Sequence, residues 1–356
     1  MTRRPFWAAI VTLLAAFALS PVLLSHDVYS YVDYARLGVA HGLNPYVRPP
    51  AAAPFDPAYT RVTWIDATSA YGPLFTLATY LLAWVPEWPA VAALKATAAL
   101  SVLGIAVLVA RVAPVRGVSP LGAAAFVALN PLVLIHVVGG AHNDGLAMLL
   151  TTIGIAAMLS SREASAGATF IAAFAIKAPA AIAAPFALVA SARAGRPPTG
   201  RKASCLSAFR PVGGGGKWLL GAGAAGLALG VAAYAAFGWH WLDAIGLAGE
   251  NQHRTSHMSI PITVARLTGL DPTVARAAAF ALFAVAFISL LAWTWRSGDW
   301  VRAAAWASLA LLLATAWLLP WYLIWALPLV ALSRDRPLQL LTLALTAYQL
   351  PARLPL

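Results

Sequence analysis

Acids are scarce in this chain, and one of them stands where the first long apolar run, 6–24, gives out. The sequence there reads His26-Asp27-Val28-Tyr29-Ser30-Tyr31, and two turns follow, Asn44-Pro45-Tyr46 and Tyr71-Gly72-Pro73. A carboxylate at the edge of an apolar segment has two ordinary uses. It caps the helix that begins beside it, or it serves as a general base for a hydroxyl brought to the membrane surface. The residues alone leave both uses open for Asp27. Tyr29, Tyr31 and Tyr34 read as an interfacial amphipathic helix with its rings at the headgroup level.

A second polar group is His142-Asn143-Asp144, set among Gly139, Gly140 and Gly145. It reads either as a polar turn between two spans or as part of a site. Asp144 would then cap the next helix, orient an acceptor or hold a divalent cation, although a metal site needs more ligands than this. Lys177 interrupts the apolar run 166–190. A charge inside a membrane segment costs at least a few kcal/mol, so its default reading is functional, with snorkelling as the alternative. Phosphate is the natural partner of such a lysine. His253 and Arg254 are candidates for the same phosphate, or for a solvated loop. Trp321 and Tyr322, with Trp325, follow Pro320 and would stack on a sugar or isoprenoid, or form an aromatic belt. The chain has no Gly-x-Ser-x-Gly and no phosphate-binding loop of the Gly-x4-Gly-Lys-Ser/Thr type.

The elements that must position these groups are membrane helices. Of 356 residues, 61% are hydrophobic and 10% charged, with mean hydropathy +0.77. A soluble domain carries roughly 25% charged residues. Ala and Leu dominate and strand alternation is missing, which favours an all-α polytopic bundle over a barrel. The net charge of +12 is spread through short loops, which fits topology-setting Lys and Arg rather than nucleic-acid binding. Cys205 is alone, so no intrachain disulfide forms.

Arg3 and Arg4 put the N-terminus inside, and the first helix is expected to be uncleaved. Spans are then expected over 90–110, 118–138, 146–160, 218–237, 272–294, 300–318, 321–332 and 337–353. The run 166–190 is expected to break near Lys177, and 74–85 is either a short span or a re-entrant dip. In all, about 10–12 membrane segments form a single domain, 1–356. On this scheme 26–71 is the first outer loop, 191–217 a basic cytoplasmic loop and 238–259 a second outer loop. The polar groups then gather on the outer face.

Taken together, Asp27-Val-Tyr-Ser-Tyr31, Asn44-Pro-Tyr46, Tyr71-Gly-Pro73, Asn130-Pro131, His142-Asn-Asp-Gly145, Lys177-Ala-Pro179 and Pro320-Trp-Tyr322 resemble the GT-C membrane glycosyltransferases. The nearest likeness is to the actinobacterial polyprenol-phosphomannose-dependent α-1,6-mannosyltransferases, related to glycosyltransferase family 87. The resemblance implies a multi-pass plasma-membrane enzyme with its site on the extracytoplasmic face. It implies a polyprenyl-phosphate sugar donor, a glycan or glycolipid acceptor, inversion, and no required cofactor. It carries the catalytic base onto Asp27 and the donor phosphate onto Lys177 and Arg254, with His253 a candidate beside Arg254 from the residues alone. Substrate contacts fall to Tyr29, Tyr31, Tyr71, His142, Asn143, Asp144, Trp321 and Tyr322. The chain is shorter than many members, so further C-terminal helices are one expectation and a compact member the other. The competing class is a lipid or sugar transporter. Broken helices occur there too, but no inverted repeat is visible. A structural membrane subunit is a third reading, and it would have no need of Lys177.

Overall fold

The computed structural model describes residues 3–194, 214–250 and 254–352. Among them the chain is helical, without strands. In chain order the helices are α1 (Arg3–Leu19), α2 (Asp27–Val39), α3 (Pro73–Thr79), α4 (Glu87–Val112), α5 (Pro120–Ala128), α6 (Asp144–Leu159), α7 (Glu163–Phe174) and α8 (Ala184–Ala194). They continue as α9 (Gly216–Phe237), α10 (Asp243–Glu250), α11 (Ile260–Thr268), α12 (Pro272–Ser297), α13 (Trp300–Ala314), α14 (Leu327–Leu332) and α15 (Arg336–Gln349).

Three of them, α4, α9 and α12, are long and apolar enough to cross a bilayer. Leu219, Leu220, Leu227 and Val231 of α9 are exposed, as are Leu282, Val285 and Ile288 of α12. Such faces would be an aggregation hazard in water; against acyl chains they are ordinary solvent contact. The fold is thus a polytopic helical membrane bundle. One row of neighbours runs α1, α4, α6, α7, α9, and another runs α5, α14, α13, α12.

One end of α13 is tied down by charge. Asp299 caps that helix through the N–H of Arg302 at 3.3 Å and meets Arg116 Nη2 at 2.6 Å. Nearby, Asp335 caps α15 through the N–H of Leu338 and pairs with Arg302 Nε at 2.7 Å. Two of the expected basic loops, 111–116 and 334–336, thus meet at this end of α13, while residues 195–213 of the expected basic loop 191–217 lie outside the described residues. The polar site lies beyond the other end of α13, a rise of roughly 22 Å away along a helix of this length.

The structure corrects several expectations. The run 118–138 is not one helix. α5 stops at Ala128, because Pro131 lacks an N–H and disfavours helical backbone at Asn130. A π-helical segment, Val133–Val138, follows. The run 321–332 begins as a 3-10 segment, Pro320–Trp325, and α14 adds only six residues. The segment 73–82 is ten residues long and rises about 15 Å, half of a hydrocarbon core of about 30 Å. The α2 tyrosines are not exposed interfacial rings: Tyr29, Tyr31 and Tyr34 are all buried within the protein.

The break expected near Lys177 is present. α7 ends at Phe174, Lys177 is extended (φ −157°, ψ 119°), and a 3-10 segment starts at Ala178. The freed carbonyls need donors. Those of Ile176 and Ala175 accept from the N–H groups of Gly72 and Leu74, both at 2.9 Å. This docks the Tyr71-Gly72-Pro73 turn directly on the interrupted helix. A side chain at Gly72 would overlap the Ala175 carbonyl. Gly72→Ala is therefore expected to force the two backbones apart and displace Lys177. A lowered thermal midpoint together with impaired function would register it, whereas Ala70→Gly in the same loop should be nearly silent.

Another anchor escaped the sequence reading. Lys95, buried in α4, donates to the Pro21 carbonyl at 2.9 Å and to the Ser20 carbonyl. Ser20 and Pro21 follow directly on α1, so Lys95 holds the chain as it leaves that helix toward Asp27.

Candidate active site

A cavity of about 420 Å³ opens at the end of the bundle that carries the first loop. Asp27, Lys177 and Arg254 reach its wall. Trp64, Tyr71, Trp317, Trp321, Tyr322 and Trp325 supply aromatic surface, and Phe174, Ile245, Phe280 and Leu311 an apolar side. Carboxylate, cations, stacking surfaces and an apolar wall thus share one space.

Asp27 is not a helix cap. The cap position of α2 is His26, and it makes no side-chain capping bond. The Asp27 carboxylate instead accepts from Trp64 Nε1–H at 3.2 Å through Oδ1. Its Oδ2 lies 3.8 Å from His142 Nδ1, beyond hydrogen-bond length. Burial pushes the carboxyl above the ordinary carboxylate range. Lys177 and the Trp64 N–H pull it back, while Asp144 adds to the rise. A carboxylate in an apolar wall with one oxygen open is suited to taking a proton.

Asp144 is fully buried at the start of α6. It accepts from Lys177 Nζ at 2.7 Å and from Trp325 Nε1–H at 2.7 Å. Both oxygens are thereby engaged, and the ammonium is the cation that Asp144 meets. No cluster of three or more metal-ligating side chains occurs among the described residues. Lys177 also lies 5.3 Å from the Tyr322 ring centroid and 5.9 Å from that of Trp325. It faces the cavity from this pair, and a phosphate there would share it with Asp144.

His142 is buried and stacks on Trp321, with centroids 3.7 Å apart and an interplanar angle of 18°. The preceding residue, Ala141, has φ 56°, a left-handed backbone that costs energy for any residue with a Cβ. Among the described residues, neither ring nitrogen of His142 nor either amide atom of Asn143 has a hydrogen-bond partner. Trp321 and Trp325 are buried, and with Tyr322 they line the cavity rather than a lipid belt. Tyr322 and Trp325 stack at 4.1 Å. The 3-10 segment Pro320–Trp325 brings these rings against α6 and the π-helical segment.

Not every candidate reaches the cavity. Tyr29 packs edge-on against His26 and under Arg61, and Tyr31 packs between Tyr71 and Phe75 while its hydroxyl accepts from the Asn143 N–H at 3.5 Å. Both lie outside the cavity wall. His142, Asn143 and Asp144 stand behind the wall rather than in it. His253 lies outside the described residues. Trp64 and Trp317, which flank Arg254, were missed. Their signal in sequence was slight: an isolated Trp in a loop and one ahead of Pro320.

Behind the site, the first loop is pinned by charge. Asp56 pairs with Arg36 and with His41, each at 2.7 Å. Asp33 is buried close by, and burial, with Asp56 adding to it, pushes its carboxyl up to about 7 against the pull of His41 and Arg36. The folded carboxyl thus holds its proton above the unfolded value of 3.8. Its stabilising contribution is whole below that value and is lost as pH rises through about 7. The thermal midpoint should fall across this window, and Asp33→Asn should flatten that part of the profile.

Comparison with known proteins follows the same lines. The family described as alpha-(1->6)-mannopyranosyltransferase, N-terminal domain, matches residues 1–193. The chain is 31% identical over 351 residues to alpha-(1->6)-mannopyranosyltransferase A of Mycobacterium tuberculosis, covering 91% of this chain and 64% of that protein. It is 31% identical over 191 residues to alpha-(1->6)-mannopyranosyltransferase A of Corynebacterium glutamicum, covering 52% of this chain and 38% of that protein. The matched region is thus less than two thirds of the length of either relative. No solved structure matches.

Proposed function

Because this chain belongs to the alpha-(1->6)-mannopyranosyltransferase family, we propose that it is a membrane mannosyltransferase. It moves mannose from a polyprenyl-phosphate donor to a hydroxyl of a cell-envelope glycan or glycolipid, with inversion, on the extracytoplasmic face of the plasma membrane. The observation that carries this reading is the half-buried Asp27 carboxylate, one oxygen open, in a cavity shared with Arg254, Lys177 and an apolar wall. The names of the relatives support the sugar and the reaction class.

The chemistry follows from that arrangement. The isoprenoid lies along the side formed by Phe174, Ile245, Phe280 and Leu311. The donor phosphate meets Arg254 and the cavity face of Lys177. Asp27 takes the proton of the acceptor hydroxyl as its oxygen attacks the anomeric carbon from the face opposite the phosphate. The bond between that carbon and the phosphate oxygen breaks, and polyprenyl phosphate leaves with the electron pair. The two cations stabilise the charge that develops on it, so the reaction as written draws on no metal ion. Trp321, Tyr322 and Trp325 offer stacking surfaces for the sugars.

Sealed right-side-out vesicles carrying the protein and polyprenyl-phosphate mannose test the reading. An impermeant α-1,6-mannoside added outside should gain one hexose. Extension only in inverted vesicles would overturn the proposed face, and extension in neither would overturn the transferase.

A further inference from the structure

We propose that Trp64 is a positioning residue that couples an anion seated on Arg254 to the carboxylate of Asp27. This rests on the reading of Asp27 as the base and Arg254 as a phosphate contact.

One indole makes both contacts. Its edge donates Nε1–H to Asp27 Oδ1 at 3.2 Å. Its face carries the Arg254 guanidinium, with Cζ 4.8 Å from the ring centroid. The same guanidinium lies 5.9 Å from the Trp317 centroid, so two indoles hold it. Arg36, Arg61, Arg116 and Arg302 each pair with a carboxylate. Arg254 makes no ion pair among the described residues, and it lines the cavity. Its charge is directed at aromatic faces and open space, the setting of an anion contact.

Trp64 is also held from its own side. The Ile65 carbonyl accepts from the Ala51 N–H at 2.9 Å, and the Ala67 carbonyl accepts from the Tyr34 hydroxyl at 2.7 Å. Trp64 thus projects from a braced stretch of the first loop, whereas Arg254 arrives from the segment between α10 and α11. The indole touches both. With Oδ1 held by the indole and Oδ2 3.8 Å from its nearest ring nitrogen, the carboxylate turns its second oxygen to the acceptor. A phosphate that fixes Arg254 over the ring fixes the carboxylate with it.

Two substitutions separate the contacts. Trp64→Phe keeps an aromatic face and removes the N–H; Trp64→Leu removes both. Each is compared with wild type and Asp27→Asn in two measurements. One is binding of polyprenyl phosphate. The other is transfer from polyprenyl-phosphate mannose to an α-1,6-mannobioside across a range of pH. Trp64→Phe should bind polyprenyl phosphate within about twofold of wild type. Its kcat should fall about 10-fold or more, the scale of one lost hydrogen bond to a charged group. The acid limb of its kcat profile should move to higher pH, because the lost N–H favoured the ionised carboxyl. Trp64→Leu should add an affinity loss of roughly 5- to 10-fold, the scale of a cation–π contact. Wild-type kcat and pH profile in Trp64→Phe, in a protein that Asp27→Asn silences, overturns the coupling. Equal affinity of the Phe and Leu variants also overturns it. Continued transfer by Asp27→Asn removes the base reading and this coupling with it, and is distinguishable because the binding comparison still reports the Arg254 contact.

Discussion

Asp27→Asn is expected to lower mannosyl transfer by about 10²- to 10⁴-fold, the usual weight of a positioned general base. The protein should remain folded and at least as stable as wild type. The two halves of this expectation have one cause. Burial raises the carboxyl above its ordinary range, so the ionised group at neutral pH is held at a cost to the fold. Asparagine keeps the shape and can still accept from Trp64 Nε1, but it has no charge to desolvate. The sign is explicit. A folded carboxyl that binds its proton more tightly than the unfolded one favours folding at low pH. That contribution disappears as pH rises through the folded value. In the wild type, kcat/KM should climb with pH along an acid limb lying above the ordinary carboxylate range, because the proposed base works in its deprotonated form. Asparagine removes that limb. Activity profiles and thermal melts on the same preparations read both effects. A variant that lost activity because it unfolded would show the opposite change in melting.

Lys177 and Asp144 give the second large effect, this time on stability. The Asp144 side chain has no exposure, and that of Lys177 is 16% exposed. Removing one partner of a buried pair strands the other charge, at about 3–5 kcal/mol. Lys177→Ala leaves Asp144 with the Trp325 N–H alone. Asp144→Ala leaves an ammonium that can still turn toward the cavity, so it should cost less. A double variant, Lys177→Met with Asp144→Leu, has no stranded charge and should recover much of the melting temperature while remaining inactive. Thermal unfolding of wild type, Lys177→Met, Asp144→Leu and the double variant in one detergent forms a cycle. Additive losses would contradict the pair; a double variant more stable than Lys177→Met alone would bear it out.

How far the site could be read in advance depended on what each residue costs in lipid. Asp27 and Lys177 stood out because charge is expensive in an apolar chain, and both reach the cavity. The break at Lys177 was legible because Pro179 follows so closely. The Lys177–Asp144 bond was not, since 33 residues and a helix interruption separate the partners. Trp64 and Trp317 were silent for a different reason. Tryptophan at a membrane edge has an ordinary explanation, and only folding of the first loop against the 315–325 segment makes one an orienting donor. Tyr29 and Tyr31 erred the other way. An aromatic helix reads as interfacial until the neighbouring elements that bury it are known, and Tyr71, with Phe75 of α3, closes over Tyr31. Lys95 was passed over because its partners are backbone carbonyls at the end of α1, which carry no mark in sequence.

On the proposed function, this cavity transfers mannose from a lipid phosphate to a sugar hydroxyl. The most direct test incubates purified protein with polyprenyl-phosphate mannose and a short α-1,6-mannoside, beside a parallel reaction supplied with nucleotide-linked mannose. Product mass should rise by one hexose with the lipid donor alone. Extension from the nucleotide sugar, or none from the lipid donor in a folded protein, would contradict the account.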